Sequence, residues 1–249
     1  MFTPAGSDIR VKLWTRTCLT DPSDMNVVLF GGTGMLGQGV LRECLVAPDV
    51  ERVVTVGRSA TGVANPKLRE IVHKDLHNLM PIEAQLTGFD ACFFCLGVTS
   101  AGMSEIDYTR ITYDITMAAA SVLVRLNSGM TFVFVSGAGT DSTERGPLMW
   151  ARVKGRTENA LLRMPFKAAY MFRPGVVQPL HGVQSRTAAY RILYSLTAPM
   201  IPLLRRIFPN QILTTEEMGR AMLNAVRHGA PTRVLESRDM RQLAYAFPS

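Results

Sequence analysis

The sequence predicts an α/β fold, a doubly wound parallel sheet with a small C-terminal cap. Three observations carry that prediction. From residue 26 onward, short runs rich in β-branched and aromatic residues alternate with longer helical patterns. The runs are almost continuously apolar, as strands buried on both faces must be, and such strands are joined by right-handed helical crossovers. A glycine-rich turn follows the first run directly.

Residues 1–25 show no clear period and read as a flexible N-terminal extension, with Met25 as an alternative start. The expected strands are VVLF (27–30), RVVTVG (52–57), REIVH (69–73), ACFFCLG (91–97), TFVFVSG (131–137), AAYMFRPG (168–175) and TRVLES (232–237). Residues 26–249 are read as one domain, with the cap drawn from about 176–230. In the cap, Ile192, Leu193, Leu196, Met200, Leu203, Leu204 and Ile207 recur at helical spacing, interrupted by Pro199 and Pro202 and flanked by Arg191, Arg205 and Arg206. Core packing is the expected role of that stripe; contact with an anionic membrane or cover for a hydrophobic substrate is the alternative. Later, Thr214 with Glu217 three residues on forms a capping box, and Gly229 ends the helix that it starts.

Composition sets limits. With 249 residues, 47% hydrophobic and 19% charged, the chain can bury a full core and is not of the disordered class. No apolar run reaches the ~18 residues of a membrane span, and the first 25 residues lack a signal-peptide core. Cys18, Cys44, Cys92 and Cys95 have no framework spacing, so a reducing, cytoplasmic setting is expected. Cys92 and Cys95 form a C-x-x-C, but on a strand they point to opposite faces and read as core. His73 and His77 lack a third ligand, so no metal is expected. The net charge of +7 is concentrated in residues 145–210, where eleven Lys and Arg meet the single acid Glu158. That bias suits an anionic partner. Nucleic acid is not expected, because no reader motif accompanies the charge.

The turn in VVLFGGTGMLGQGV carries the first functional reading. Gly31, Gly34 and Gly37 have G-x-x-G-x-x-G spacing between a strand and a helix, which lets a pyrophosphate rest on the helix N-terminus beside Thr33, Met35 and Leu36. About twenty residues on, where an acid would hold the 2′-hydroxyl of NAD, stands Arg58. A guanidinium there suits a 2′-phosphate, so the expected cofactor is NADP(H). Asp75 and Leu76 after the third strand, and Leu96, Gly97 and Val98 after the fourth, fall where the adenosine would lie.

Together with VGRS, FFCLGVTS, FVFVSGAGTDS, WARVKGRTE and FRPGVVQP, these stretches resemble the short-chain dehydrogenase/reductase superfamily, in its atypical, Tat-interacting-protein-like and epimerase/dehydratase-like branch. The likeness runs from about residue 26 to 235. It implies a Rossmann-like fold, bound NADP(H), Lys154 on the nicotinamide ribose and a substrate cap. Catalysis in that superfamily uses a Tyr, a Lys four residues later and a Ser or Thr. Lys154 matches and Ser136 stands near the Ser position, but the Tyr position is Trp150, whose indole N–H only donates. Two readings follow. Either Tyr108, Tyr113 or His181 carries the proton in an oxidoreductase acting on a small, anionic or hydrophobic carbonyl substrate, or the chain is a non-catalytic NADPH-binding sensor or scaffold. Helix packing for the tyrosines and a loop position for His181 are the plainer expectations. Oligomeric state is left open, a homodimer included.

Overall fold

The first apolar run becomes an inner strand because every side chain from Val27 to Phe30 is fully buried, with neighbours on both faces and both edges. A computed structural model of the protein describes residues 24–182 and 211–247. Its strands are β1 (Met25–Phe30), β2 (Val50–Gly57), β3 (Leu68–Val72), β4 (Ala91–Phe94), β5 (Thr131–Val135), β6 (Ala168–Arg173), β7 (Val176–Gln178), β8 (Ile212–Thr214) and β9 (Val234–Glu236). Seven of them form one sheet in the order β3-β2-β1-β4-β5-β6-β9, and every pairing is parallel. The doubly wound α/β fold is therefore as expected. β1 takes in Met25, which the sequence reading had placed in the extension.

Helices cover both faces, as all-parallel pairing demands. They are α1 (Met35–Val46), α2 (Glu105–Thr109), α3 (Ile115–Leu126), α4 (Met149–Leu162), α5 (Thr215–His228) and α6 (Ser237–Tyr245), with a π-helical turn at Arg110–Asp114 and a 3-10 helix at Met80–Gln85. On one face Val27, Leu29, Phe93 and Val133 pack on α1, α5 and α6. On the other, Val28, Phe30, Phe94 and Phe132 pack on α3, α4 and the 3-10 helix. The period of two is visible in β4: Ala91 and Phe93 face one layer, Cys92 and Phe94 the other. Phe30 and Phe94 stack across the strands with centroids 5.2 Å apart.

The capping box of α5 is present as predicted: Thr214 Oγ1 accepts from the Glu217 N–H at 3.0 Å and Glu217 Oε2 from the Thr214 N–H at 2.7 Å. The extent assigned to the cap is corrected here. α5 was counted within it, but Met218, Ala221 and Met222 are buried in the core beneath the sheet. Gly219 makes this close packing on α1 possible, since a Cβ there would lie 2.6 Å from Glu43 Cγ. α5 thus belongs to the layer that covers the sheet. The pairing of β7 with β8 was not foreseen, because three-residue strands carry too little period to register. The stripe at 190–208, with the membrane contact inferred from it, and Cys18 lie outside the described residues.

Candidate functional site

The strand order reverses between β1 and β4, and doubly wound sheets open a crevice at the carboxyl ends of the strands at such a point. A cleft of about 550 Å³ lies there. It is lined by Gly31, Thr33, Gly34, Met35, Leu36, Arg58, Leu76, Leu96, Gly97, Val98, Ser136 and Lys154, so one site gathers residues from six separate stretches of sequence. Gly57, Ser59, Cys95, Thr99 and Val135 line it too and were not singled out beforehand. They are neighbours in sequence of residues that were, so extending each motif along its strand end would have found them.

The glycine turn has steric reasons at two positions. Gly31 has φ +81°, and a Cβ on it would fall 2.7 Å from the Leu96 backbone nitrogen, because the end of β1 runs hard against the end of β4. Gly37 lies one turn into α1, and a Cβ there would come well under 3.0 Å from the Gly31 carbonyl oxygen. The turn is braced by the Gly34 N–H donating to Gly31 O at 2.9 Å and by Gln38 Nε2 donating to Thr33 O at 3.1 Å. No side chain caps α1 at Gly34 and no acid stands in its first turn, so its first N–H groups face the cleft in a field that favours an anion. These residues fit a dinucleotide pyrophosphate.

Arg58 follows the last residue of β2 at the cleft mouth, exposed and without an ion pair among the described residues. Beside it a smaller pocket of about 220 Å³ is lined by Arg58, Lys74, Asp75, Leu76, Gly97 and Ile115. Asp75 lies here rather than in the main cleft, its Oδ1 accepting from the His77 N–H at 3.1 Å.

At the other end of the cleft, α4 presents Trp150, Lys154 and Glu158 at four-residue spacing on one stripe. Lys154 Nζ donates to the Ser136 carbonyl oxygen. Burial pulls its pKa down to about 8, and the Glu158 carboxylate opposes that fall. Ser136 requires a correction. Its residue lines the cleft, but its hydroxyl is buried beneath, donating to Glu158 Oε1 with the Phe172 carbonyl at 3.2 Å as a second acceptor. The Ser136 hydroxyl is therefore engaged beneath the cleft. Glu158, 1% exposed, is gripped in turn by Arg173, with Nε to Oε1 at 3.0 Å and a second bond from Nη2 to Oε2. Sequence reasoning noted Glu158 only as the lone acid in a basic stretch; that isolation was the available signal.

The substitute proton donors are dispersed. Trp150 packs on the Gly139 backbone, where a Cβ would lie 3.5 Å from its Cη2, and does not line the cleft. Tyr113 sits in the π-helical turn with the Arg156 guanidinium 4.6 Å above its ring. Tyr108 is 2% exposed and its hydroxyl pKa is raised by burial, which fits helix packing. His181, at φ +56°, has its Nε2 3.1 Å from Glu216 Oε2 at the start of α5. Neither Tyr113 nor His181 lines the cleft. Cys92 and Cys95 face opposite layers; burial raises both thiol pKa values, that of Cys95 to about 12, so Cys95 stays protonated at neutral pH although it lines the cleft. Among the described residues there is no metal-binding cluster, and no helix is long and apolar enough to cross a membrane.

No family model matches the chain. Protein FMP52, mitochondrial, of Meyerozyma guilliermondii is 28% identical over 159 residues, which is 61% of this chain and 65% of that protein. The chain thus matches a little under two thirds of the length of that relative. Among solved structures, a UDP-N-acetylglucosamine 4-epimerase from Methanobrevibacter ruminantium in complex with UDP-N-acetylmuramic acid has a TM-score of 0.63 at 16% identity, covering 86% of this chain and 76% of its own. The Bordetella bronchiseptica enzyme WbmF in complex with NAD+ has a TM-score of 0.62 at 14% identity, covering 89% and 76%. The relatives correct one expectation: those from M. guilliermondii, Scheffersomyces stipitis and Emericella nidulans are all named mitochondrial, against the cytoplasmic setting inferred from cysteine usage. Thiols are kept reduced in more than one compartment, so a lack of disulfide spacing does not select the cytosol. The chain has the Rossmann-like fold of these enzymes, so the expected likeness to the atypical short-chain dehydrogenase/reductases holds at the level of the fold.

Proposed function

We propose that the protein binds a nicotinamide dinucleotide in the switch-point cleft, NADP(H) in preference to NAD(H), and is an oxidoreductase-type protein directed at a small or hydrophobic carbonyl compound. The observation that carries the proposal is the packing of Gly31 and Gly37, which leaves the N-terminus of α1 uncapped and open at the end of β1. In this reading the pyrophosphate lies on the N–H groups of Met35, Leu36 and Gly37, and the adenosine passes Leu76, Asp75 and Leu96–Val98. Arg58 meets the 2′-phosphate, and Lys154 holds the nicotinamide ribose. The names of the relatives support a mitochondrial location. Arg58→Ala should weaken NADPH binding about 10- to 100-fold, the equivalent of a lost charge-assisted bond of roughly 1.5–3 kcal/mol, and leave NADH binding unchanged. Calorimetric titration reads both. Equal affinity of the wild type for the two cofactors would remove Arg58 from that role.

A second reading, an NADPH-binding protein without carbonyl turnover, is favoured by Trp150 in the Tyr position and by the engagement of the Ser136 hydroxyl with Glu158. On this reading Trp150→Tyr should create or raise NADPH oxidation with aldehydes, ketones or quinones, since the Lys154 ammonium one turn away would lower a phenol pKa. The first reading expects turnover in the wild type and no gain from the substitution. Turnover that survives Lys154→Ala would contradict both.

A further inference from the structure

We propose that Glu158 is a positioning residue for Lys154, acting through Ser136 and through its own charge to keep the lysine an ammonium directed at the cleft. The inference rests on the proposed cofactor site and goes beyond it by naming the group that sustains its cation. Lys154 meets two effects of opposite sign. Burial disfavours the ammonium, and the carboxylate of Glu158, one helical turn further along α4, favours it. The same carboxylate accepts the Ser136 hydroxyl proton, which fixes residue 136 at the end of β5 with its carbonyl oxygen toward Lys154 Nζ. One side chain therefore sets both the charge of the lysine and the acceptor that aims it.

The surrounding charges define the arrangement. Arg173 on β6 holds both oxygens of Glu158 and also donates to Ser142 Oγ at 2.6 Å, and Glu236 at the end of β9 lies 3.6 Å from Arg173 Nη1. With Glu158 neutralised, unopposed burial drives Lys154 toward the neutral amine, which cannot offer a charged donor to a ribose or phosphate. A further depressed lysine pKa means that the ammonium, and the binding that needs it, persists at low pH and is lost earlier as the pH rises.

The experiment is an NMR titration of the full-length, cofactor-free chain labelled with 13C at lysine Cε, with Lys154 assigned by its loss in Lys154→Met, together with NADPH titrations across the same pH range. In the wild type Lys154 should titrate near 8. In Glu158→Gln its midpoint should fall by at least about one pH unit, and NADPH affinity should decline from a correspondingly lower pH. Glu158→Asp, which keeps the charge, should restore most of the midpoint. If Glu158→Gln fails to fold, the double variant Glu158→Gln/Arg173→Met removes both partners of the buried ion pair and should show the same downward shift. An unchanged midpoint in whichever variant folds would overturn the proposal and leave Glu158 as a staple between α4 and β6. A shifted midpoint with no NADPH binding in the wild type would instead sink the cofactor reading and leave the Glu158–Lys154 linkage standing.

Discussion

Arg173→Met is expected to destabilise the protein by roughly 3–5 kcal/mol, the cost of breaking a buried ion pair from one side. Glu158 is 1% exposed and Arg173 supplies both of its charge-assisted hydrogen bonds, so the truncation leaves the carboxylate with the Ser136 hydroxyl as its hydrogen-bond donor and the Lys154 ammonium as its counter-charge. The pair also ties α4, which carries Lys154, to β6. Urea denaturation measures the loss. Adding Glu158→Gln to Arg173→Met should recover much of it, because the stranded charge is then gone. A loss below about 1 kcal/mol, the level of an exposed pair, would mean that the two groups are not coupled as the geometry indicates.

Gly37→Ala should abolish nucleotide binding and destabilise the fold by about 1–3 kcal/mol, as overpacking does. The added Cβ has no rotamer with which to escape the Gly31 carbonyl, so α1 must retreat from the end of β1, and its N–H groups move away from the place a phosphate would take. Gly97→Ala provides the contrast. An added Cβ there meets nothing within 4 Å, so stability should stay within about 0.5 kcal/mol of wild type. Denaturation and NADPH titration of the two variants side by side test the turn against a glycine of the same cleft. Wild-type affinity in Gly37→Ala would show that the turn is not the phosphate site.

Much of this fold was legible because a parallel sheet writes itself locally. Each inner strand must be apolar on both faces, and runs such as VVLF and TFVFV satisfy that without reference to distant residues. The glycine turn was legible for a related reason: Gly37 answers to the Gly31 carbonyl within the same seven residues, although the demand on Gly31 itself comes from the distant end of β4. What escaped depends on long-range placement. The assignment of α5 to the sheet layer follows from contacts with α1, nearly two hundred residues earlier in the chain, and no local pattern separates such a helix from one in a cap. The orientation of the Ser136 hydroxyl was equally hidden, because it is set by Glu158 and the Phe172 carbonyl, which lie apart in sequence and meet only when α4 docks on β5 and β6. His181 and Tyr113 were reasonable donors by chemistry. Their partners in the fold, Glu216 and Arg156, come from other helices, α5 and α4, which no local pattern reveals.

A crystal structure of the protein soaked with NADPH shows directly whether the switch-point cleft holds the cofactor. The predicted result is the pyrophosphate on the N–H groups of Met35, Leu36 and Gly37, the 2′-phosphate against Arg58 and the nicotinamide ribose against Lys154. A nucleotide bound elsewhere, or a cleft that stays empty at saturating NADPH, would contradict it.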